Sequence, residues 1–301
     1  MELRHLHYFV VVAEERHFTR AAERLGIGQP PLSLQIQRLE REIGAQLFRR
    51  LSRGVELTEA GVLLLNNARQ ILAQVERTCA DVQRLSRGEI GHLRVGFAGA
   101  TYFQPLVPAI IRQYRGRHPE VVLSPEQSNT PSLVDGLLEG RVDAAFIRPP
   151  IENTDALEVE LLVTEDMLVV LPHSHPLARS GASVSLSALA AETFILFPRM
   201  IGAGLYDAVT SACQRAGFIP ILGQEAPQIS SIVPMVGAGF GVSIVPRSTS
   251  QIQTDEVVYL PIAGDAPSAP ISLAWRRHDP SPMVRQFLAV ARQMARDWGK
   301  A

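Results

Sequence analysis

Between residues 29 and 43, hydrogen-bonding and cationic side chains recur opposite an apolar stripe. Leu32, Ile36, Leu39 and Ile43 are spaced 4, 3 and 4, which is the buried face of a helix resting on a core. The opposite face carries Pro30, Leu34, Gln37, Arg38 and Arg41, with Gln29 and Ser33 on its flanks near the start. A glutamine amide holds a donor and an acceptor side by side, so Gln29 and Gln37 can make paired hydrogen bonds to adenine. Ser33 can bond to several bases or to a phosphate, and Leu34 suits a thymine methyl group unless it is a stray surface leucine. Arg49, Arg50 and Arg53 follow, and guanidinium groups there suit phosphate oxygens, which position a duplex without reading its sequence.

Other residues that could carry chemistry lack partners for it. His173 and His175 are two apart, a spacing compatible with a metal on a strand, but no acidic pair stands near to complete a site. Gly237-Ala238-Gly239-Phe240-Gly241 has the look of a dinucleotide loop, yet it follows a helix and enters a strand, the reverse of the required order. Neither a Gly-x-Ser-x-Gly elbow nor a P-loop is present. Cys79 and Cys213 lie far apart and read as small apolar residues rather than a disulfide or a redox pair. The expectation is a binding protein with no cofactor and no metal, not an enzyme.

The elements that must position the polar helix are helical too. Leu3, Leu6, Phe9, Val10 and Ala13 recur at helical spacing, and a short helix from about Thr19 to Leu25 is stopped by Gly26. The third helix opens at Pro30-Pro31, where first-turn amides have no intrahelical partner to lose. Two helices joined through a glycine-containing turn form a helix-turn-helix. The segment around Ser52-Arg53-Gly54 suggests a two-stranded wing. Thr58 then caps a long helix running to about Arg87. Along it Leu64, Ala68, Ile71, Val75, Thr78, Val82 and Leu85 repeat at heptad spacing. That seam fits a dimer of helices, with a stripe lying on the chain's own core as the alternative.

Composition agrees with this division. Residues 1–88 carry 13 Lys/Arg against 10 Asp/Glu, whereas residues 89–301 carry 16 against 20. A mildly basic N-terminal part on an acidic remainder fits nucleic-acid binding. No apolar run approaches the ~18 residues of a membrane span and no signal peptide is evident, so a cytoplasmic location is expected. After the hinge at Ser86–Gly91 short apolar runs alternate with helical patterns: Leu93–Phe97, Val121–Leu123, Ala144–Ile147, Leu168–Leu171, Phe194–Phe197, Val242–Val245 and Ile271–Trp275. That alternation implies α/β layers around largely parallel sheets, closed by a helix over Pro282–Trp298.

The N-terminal pattern resembles the LysR-type transcriptional regulators. The resemblance rests on Ala21-Ala22, Leu25, Gln29-Pro30-Pro31-Leu32-Ser33, Leu39-Glu40, Gly44, Leu47-Phe48, Arg50 and Leu57-Thr58-Glu59-Ala60-Gly61. It continues through Gly140-Arg141-Val142-Asp143, the segment His173–Ala178 and the run Gly237–Pro246. Within the family, Met1–Leu6 and the Gln-Pro-Pro-Leu-Ser segment are most similar to regulators of aromatic-compound catabolism that respond to muconate-type acids. Two departures stand out: Leu34 replaces a basic or polar residue, and Gly28 replaces a frequent serine.

The resemblance implies a multidomain α+β chain. It comprises a winged helix-turn-helix over 1–58, a linker and dimerisation helix over 59–88, a hinge at 89–91 and an effector-binding domain over 92–301. That domain would be like a periplasmic binding protein, with subdomain I at about 92–161 and 269–301 and subdomain II at about 162–268. Its effector contacts would be Gly99-Ala100-Thr101, Thr130, Arg148, Pro198-Arg199-Met200 and Ser230, with Thr130 and Ser230 equally readable as helix caps. Implied partners are operator DNA, a small organic acid (aromatic-derived or dicarboxylic), a second copy as homodimer or homotetramer, and RNA polymerase, in control of a catabolic operon.

Overall fold

The N-terminal apolar spacing folds into three helices: α1 (Leu3–Glu15), α2 (Phe18–Leu25) and α3 (Gln29–Ile43). The computed structural model describes residues 1–51, 54–151, 154–181 and 183–300. Arg16 at φ 50° ends α1, and Gly26 at φ 67° ends α2 in the left-handed region that glycine enters without a Cβ penalty. Leu32, Ile36 and Leu39 are buried against Leu6, Phe9 and Ala21. Ile43, expected in that stripe, is 40% exposed because it is the last residue of α3 and reaches beyond the core. Strands β1 (Phe48–Arg50) and β2 (Val55–Leu57) pair antiparallel as the wing. The Glu40 carboxylate accepts from the Leu47 and Phe48 amides, tying the wing to α3.

Helix α4 (Glu59–Ser86) leaves the wing through Thr58. The Thr58 hydroxyl accepts from the Gly61 amide at 3.0 Å and donates to the Gln46 carbonyl at 2.7 Å, so the expected cap also anchors the helix. The heptad seam is divided. Ala68 is fully buried in the core of the winged motif, and Leu64 packs half-buried on the same core beside Leu65 and Leu72. Ala68 is therefore corrected from seam to intradomain contact, since the first turns of α4 must cover the apolar backs of the preceding helices. Beyond them Ile71, Val82 and Leu85 are exposed and Val75 is half-buried.

The chain divides into two compact units, Met1–Leu85 and Ser86–Ala301. The second opens with β3 (Gly91–Ala98), α5 (Leu106–Arg117), β4 (Val121–Ser128), α6 (Thr130–Leu138) and β5 (Ala144–Ile147), whose three strands are parallel. The long strand β6 (Leu157–Pro172) then leads into β7 (Val184–Ser185), β8 (Thr193–Phe194), α7 (Ala203–Arg215), β9 (Ile221–Leu222), α8 (Ile229–Gly237), β10 (Ser243–Pro246) and β11 (Val257–Ala263). The chain returns through β12 (Ser268–Arg276) and closes with α9 (Pro282–Trp298).

Strands β6 and β12 make the crossing between two subdomains. Leu157–Asp166 of β6 pairs antiparallel with β12, which also pairs with β5; from Met167 the same strand pairs with β10 and β11. Each half has its own core. Tyr114, Phe146 and Phe287 centre one, while Val169, Phe194, Val233 and Ile244 lie in the other. Largely parallel sheets were expected, but every pairing of β6 and of β12 is antiparallel among the described residues. The run Leu168–Leu171 is the end of β6, Phe194–Phe197 is strand only through Phe194, and β11, which opens on the apolar run Val257–Leu260 before Pro261, was not among the expected strands.

Candidate functional site

Helix α3 presents the polar face expected of it. Gln29, Pro30, Gln37, Arg38 and Arg41 are exposed, Ser33 is half-buried, and Leu34 keeps 44% of its surface open at the centre. Its N-cap is Gly28, which makes no side-chain cap bond, so Gln29 and the prolines open the helix unobstructed. Arg49 and Arg50 are exposed on β1, and among the described residues no ion pair engages Arg38, Arg49 or Arg50. Arg53 lies outside the described residues. Gln29 and Arg50 share one depression with His17, Phe18 and Val55, which brings the start of the reading helix and the wing to one surface. The wing is held there because the Val55 amide donates to the Arg16 carbonyl at 2.9 Å. Exposed, unengaged guanidiniums beside a convex helix face are equipped for phosphate contact and base-edge reading.

A second site opens in the C-terminal unit. The carboxyl ends of β3, β4 and β5 face the N-termini of α7 and α8 across a cavity of about 400 Å³. Its walls are Ala98, Gly99, Gln127, Ser128, Asn129, Thr130 and Arg148 on one side. Ile201, Gly202, Leu205, Pro227, Gln228 and Ile229 line the other. A crevice at the carboxyl ends of parallel strands is where open α/β sheets bind ligands. Asn129 caps α6 by accepting from the Ser132 amide at 2.8 Å. Neither α7 nor α8 has a side-chain cap, and Gly202 and Gln228-Ile229 at their starts line the cavity, so their positive helix ends lie at its wall.

Arg148 sits at the cavity wall and is only 5% exposed. Its guanidinium donates to Glu165 Oε1 at 2.9 Å and to the Ala269 and Pro270 carbonyls at 3.2 and 3.4 Å. Glu165 also accepts from the Ser248 amide and hydroxyl, at 2.8 and 3.0 Å. Burial pushes the guanidinium below its ordinary range, and Glu165 opposes that shift. The Arg148 fork is thus occupied by protein, except for Nε, which has no hydrogen-bond partner.

The other expected contacts divide. Gly99 and Thr130 line the cavity, and Thr130 Oγ1 accepts from the Arg148 amide at 3.4 Å. Ala100 and Thr101 are buried behind it, Ala100 within an apolar core, because the chain turns inward after Gly99. Arg199 and Met200 line an adjoining chamber of about 310 Å³ that shares the Thr130 and Arg148 wall. Arg199 is exposed there and held at 2.7 Å by both oxygens of Asp207. Pro198 and the half-buried Ser230 line neither chamber, and no cap bond is made by Ser230. Polar residues not foreseen are Gln127, Ser128, Asn129, Gln228 and Glu165. Only Asn129 gave a signal, as an asparagine directly before Thr130-Pro131. His175, offered as a possible ligand, pairs with Glu192 at 3.2 Å and accepts from the Leu177 amide.

Comparison with known proteins bears on both sites. Residues 3–62 match the bacterial regulatory helix-turn-helix protein, lysR family, and residues 86–296 match the LysR substrate binding domain. The chain is 42% identical over 288 residues to the HTH-type transcriptional regulator BudR of Raoultella terrigena, covering 96% of this chain and 99% of that protein. It is 36% identical over 291 residues to AlsR of Bacillus subtilis, covering 97% and 95%. The structure superposes on full-length CbnR complexed with its target DNA with a TM-score of 0.84 at 29% identity, covering 98% of this chain and 100% of that one. Full-length BenM gives 0.62 at 35% identity, covering 99% and 98%. Among the described residues no helix is long and apolar enough to cross a membrane. The chain belongs to the LysR family of transcriptional regulators and carries both the family's helix-turn-helix and its substrate-binding domain.

Proposed function

We propose that this regulator binds an interrupted palindrome in operator DNA through α3 and the wing, and that a small organic acid in the β3–β4–β5 cleft changes that binding. The observation that carries the reading is the cleft itself, where uncapped helix ends and Arg148 surround a cavity of about 400 Å³. Helix N-termini favour negative charge, and the apolar side chains Ile201, Leu205 and Ile229 suit a carbon body. The exposed end of α4, from Ile71 to Leu85, fits a homodimer seam, and pairs of dimers would form a homotetramer acting with RNA polymerase. Half-sites would then fall on one DNA face, at multiples of about 10 base pairs. The operon under its control is proposed to be catabolic.

Ligand control requires different affinity for the two DNA-binding arrangements, since a ligand indifferent to them changes nothing. The test is footprinting of the full-length chain on the DNA upstream of its own gene, with and without an acid that calorimetry shows to bind. A shifted footprint or changed affinity is expected. An unchanged footprint at saturating acid refutes the proposal.

A further inference from the structure

The charges around the cleft do not balance for every acid. Among the described residues Arg148 is the one charged residue on the main cavity wall, and its charge is matched by Glu165 at 2.9 Å. The wall offers a carboxylate the Thr130 hydroxyl and the positive ends of α7 and α8, whose starts at Gly202 and at Gln228 and Ile229 line the cavity, while Arg148 Nε is buried away from it. These are donors enough for a single anion, and helix ends carry only about half a unit of charge each.

A second carboxylate finds no such place. Across the main cavity it would meet Ala98, Ile201, Leu205 and Ile229, or the neutral amides of Gln127 and Gln228. In the adjoining chamber Arg199 is already held by both oxygens of Asp207, and Asp135 stands on the same wall as a further negative charge. An ionised group left without a partner in such a place loses more hydration than it regains.

Resting on the reading of the cleft as the effector site, we propose that its ligand is a monoanion: a small monocarboxylic acid with an uncharged body, bound in preference to the corresponding dicarboxylic acid. The amides of Gln127 and Gln228 and the Ser128 hydroxyl add hydrogen bonds to a hydroxyl or keto group on that body.

Titration calorimetry of the full-length protein at neutral pH tests this with matched pairs, butyrate against succinate and benzoate against phthalate. At least one monoacid should bind, and its diacid should bind at least about tenfold more weakly. A diacid that binds as tightly as its monoacid overturns the proposal, as does the absence of binding by all four acids up to about 10 mM. Gln228→Trp and Gln127→Trp, both at exposed positions on the wall, separate this outcome from failure of the cleft reading. Both should weaken the bound acid. Acid binding unchanged in both variants removes the cleft as the site, and the proposal with it. A preferred diacid whose binding the two variants abolish leaves the cleft in place and refutes the monoanion alone. Gln228→Arg supplies the missing cation, and should raise diacid affinity relative to monoacid.

Discussion

Glu165→Ala tests how the two subdomains are joined. Glu165 lies on β6, one residue before the strand passes from β12 to the β10–β11 side. It binds Arg148 at the end of β5 and Ser248 of the second subdomain, so one carboxylate fastens both halves. The side chains of Arg148 and Glu165 are only 5% and 6% exposed. Removing one partner of a buried pair leaves an uncompensated charge and costs about 3–5 kcal/mol. The Ser248 amide loses its acceptor as well. For a unit running from Ser86 to Ala301, unfolding entropy amounts to about 0.45 kcal/mol/K at the usual per-residue value. The corresponding fall in Tm is about 7–11 °C. Scanning calorimetry of the full-length chain would show it in the transition of the C-terminal unit. The double variant Arg148→Met/Glu165→Leu, which removes both charges, should recover most of the loss. A fall below about 2 °C for Glu165→Ala, or a double variant worse than the single one, would show that the pair is not the fastening described.

Four further outcomes follow from the same geometry. Leu34→Ala should change the order of preference among operator variants, whereas Arg50→Ala should weaken all of them alike, as measured by fluorescence anisotropy on a set of single-base changes. Ala68→Glu should cost the N-terminal unit more than about 3 kcal/mol by burying a carboxylate, while Val82→Glu should leave its Tm unchanged and shift sedimentation toward smaller species. Burial pushes the Cys213 thiol up to about 11, so a thiol reagent at neutral pH should label the exposed Cys79 alone until denaturant is added. Burial raises the Asp143 carboxyl, but its bonds to Arg94 and Arg276 outweigh this and hold it below the ordinary carboxylate range. The stability it lends is present above about pH 4 and lost as pH falls through the lower folded value, so Asp143→Asn should flatten the acid limb of the unfolding curve.

Much of the DNA-reading surface was legible in the residues themselves. The face of α3 follows from 3.6-residue periodicity, and which side chains point outward needs only the positions of Leu32, Ile36 and Leu39. Caps, glycine stops and first-turn prolines are local chemistry, so Gly26, Pro30-Pro31 and Thr58 announced their helix boundaries within a residue or two. The α4 seam shows where periodicity stops informing. A heptad stripe states that a helix has an apolar face, and the same stripe serves the chain's own core at Ala68 and open solvent at Val82.

The amino-acid sequence by itself determined the helix-turn-helix, its outward face with Leu34 at the centre, and the division into a helical part and an α/β part. Only the tertiary structure decided the cleft. Its wall combines residues from Ala98 to Ile229, and no spacing rule relates side chains that meet across two subdomains. It also decided what Arg148 is free to do. An arginine after a strand looks like a carboxylate clamp, yet Glu165, 17 residues away along the chain, and the Ala269 and Pro270 carbonyls claim both ends of its fork because β5 and β6 both pair with β12. The physical reason is the same in both cases: local chemistry sets the elements, while the long-range pairing of strands sets which charges are left over.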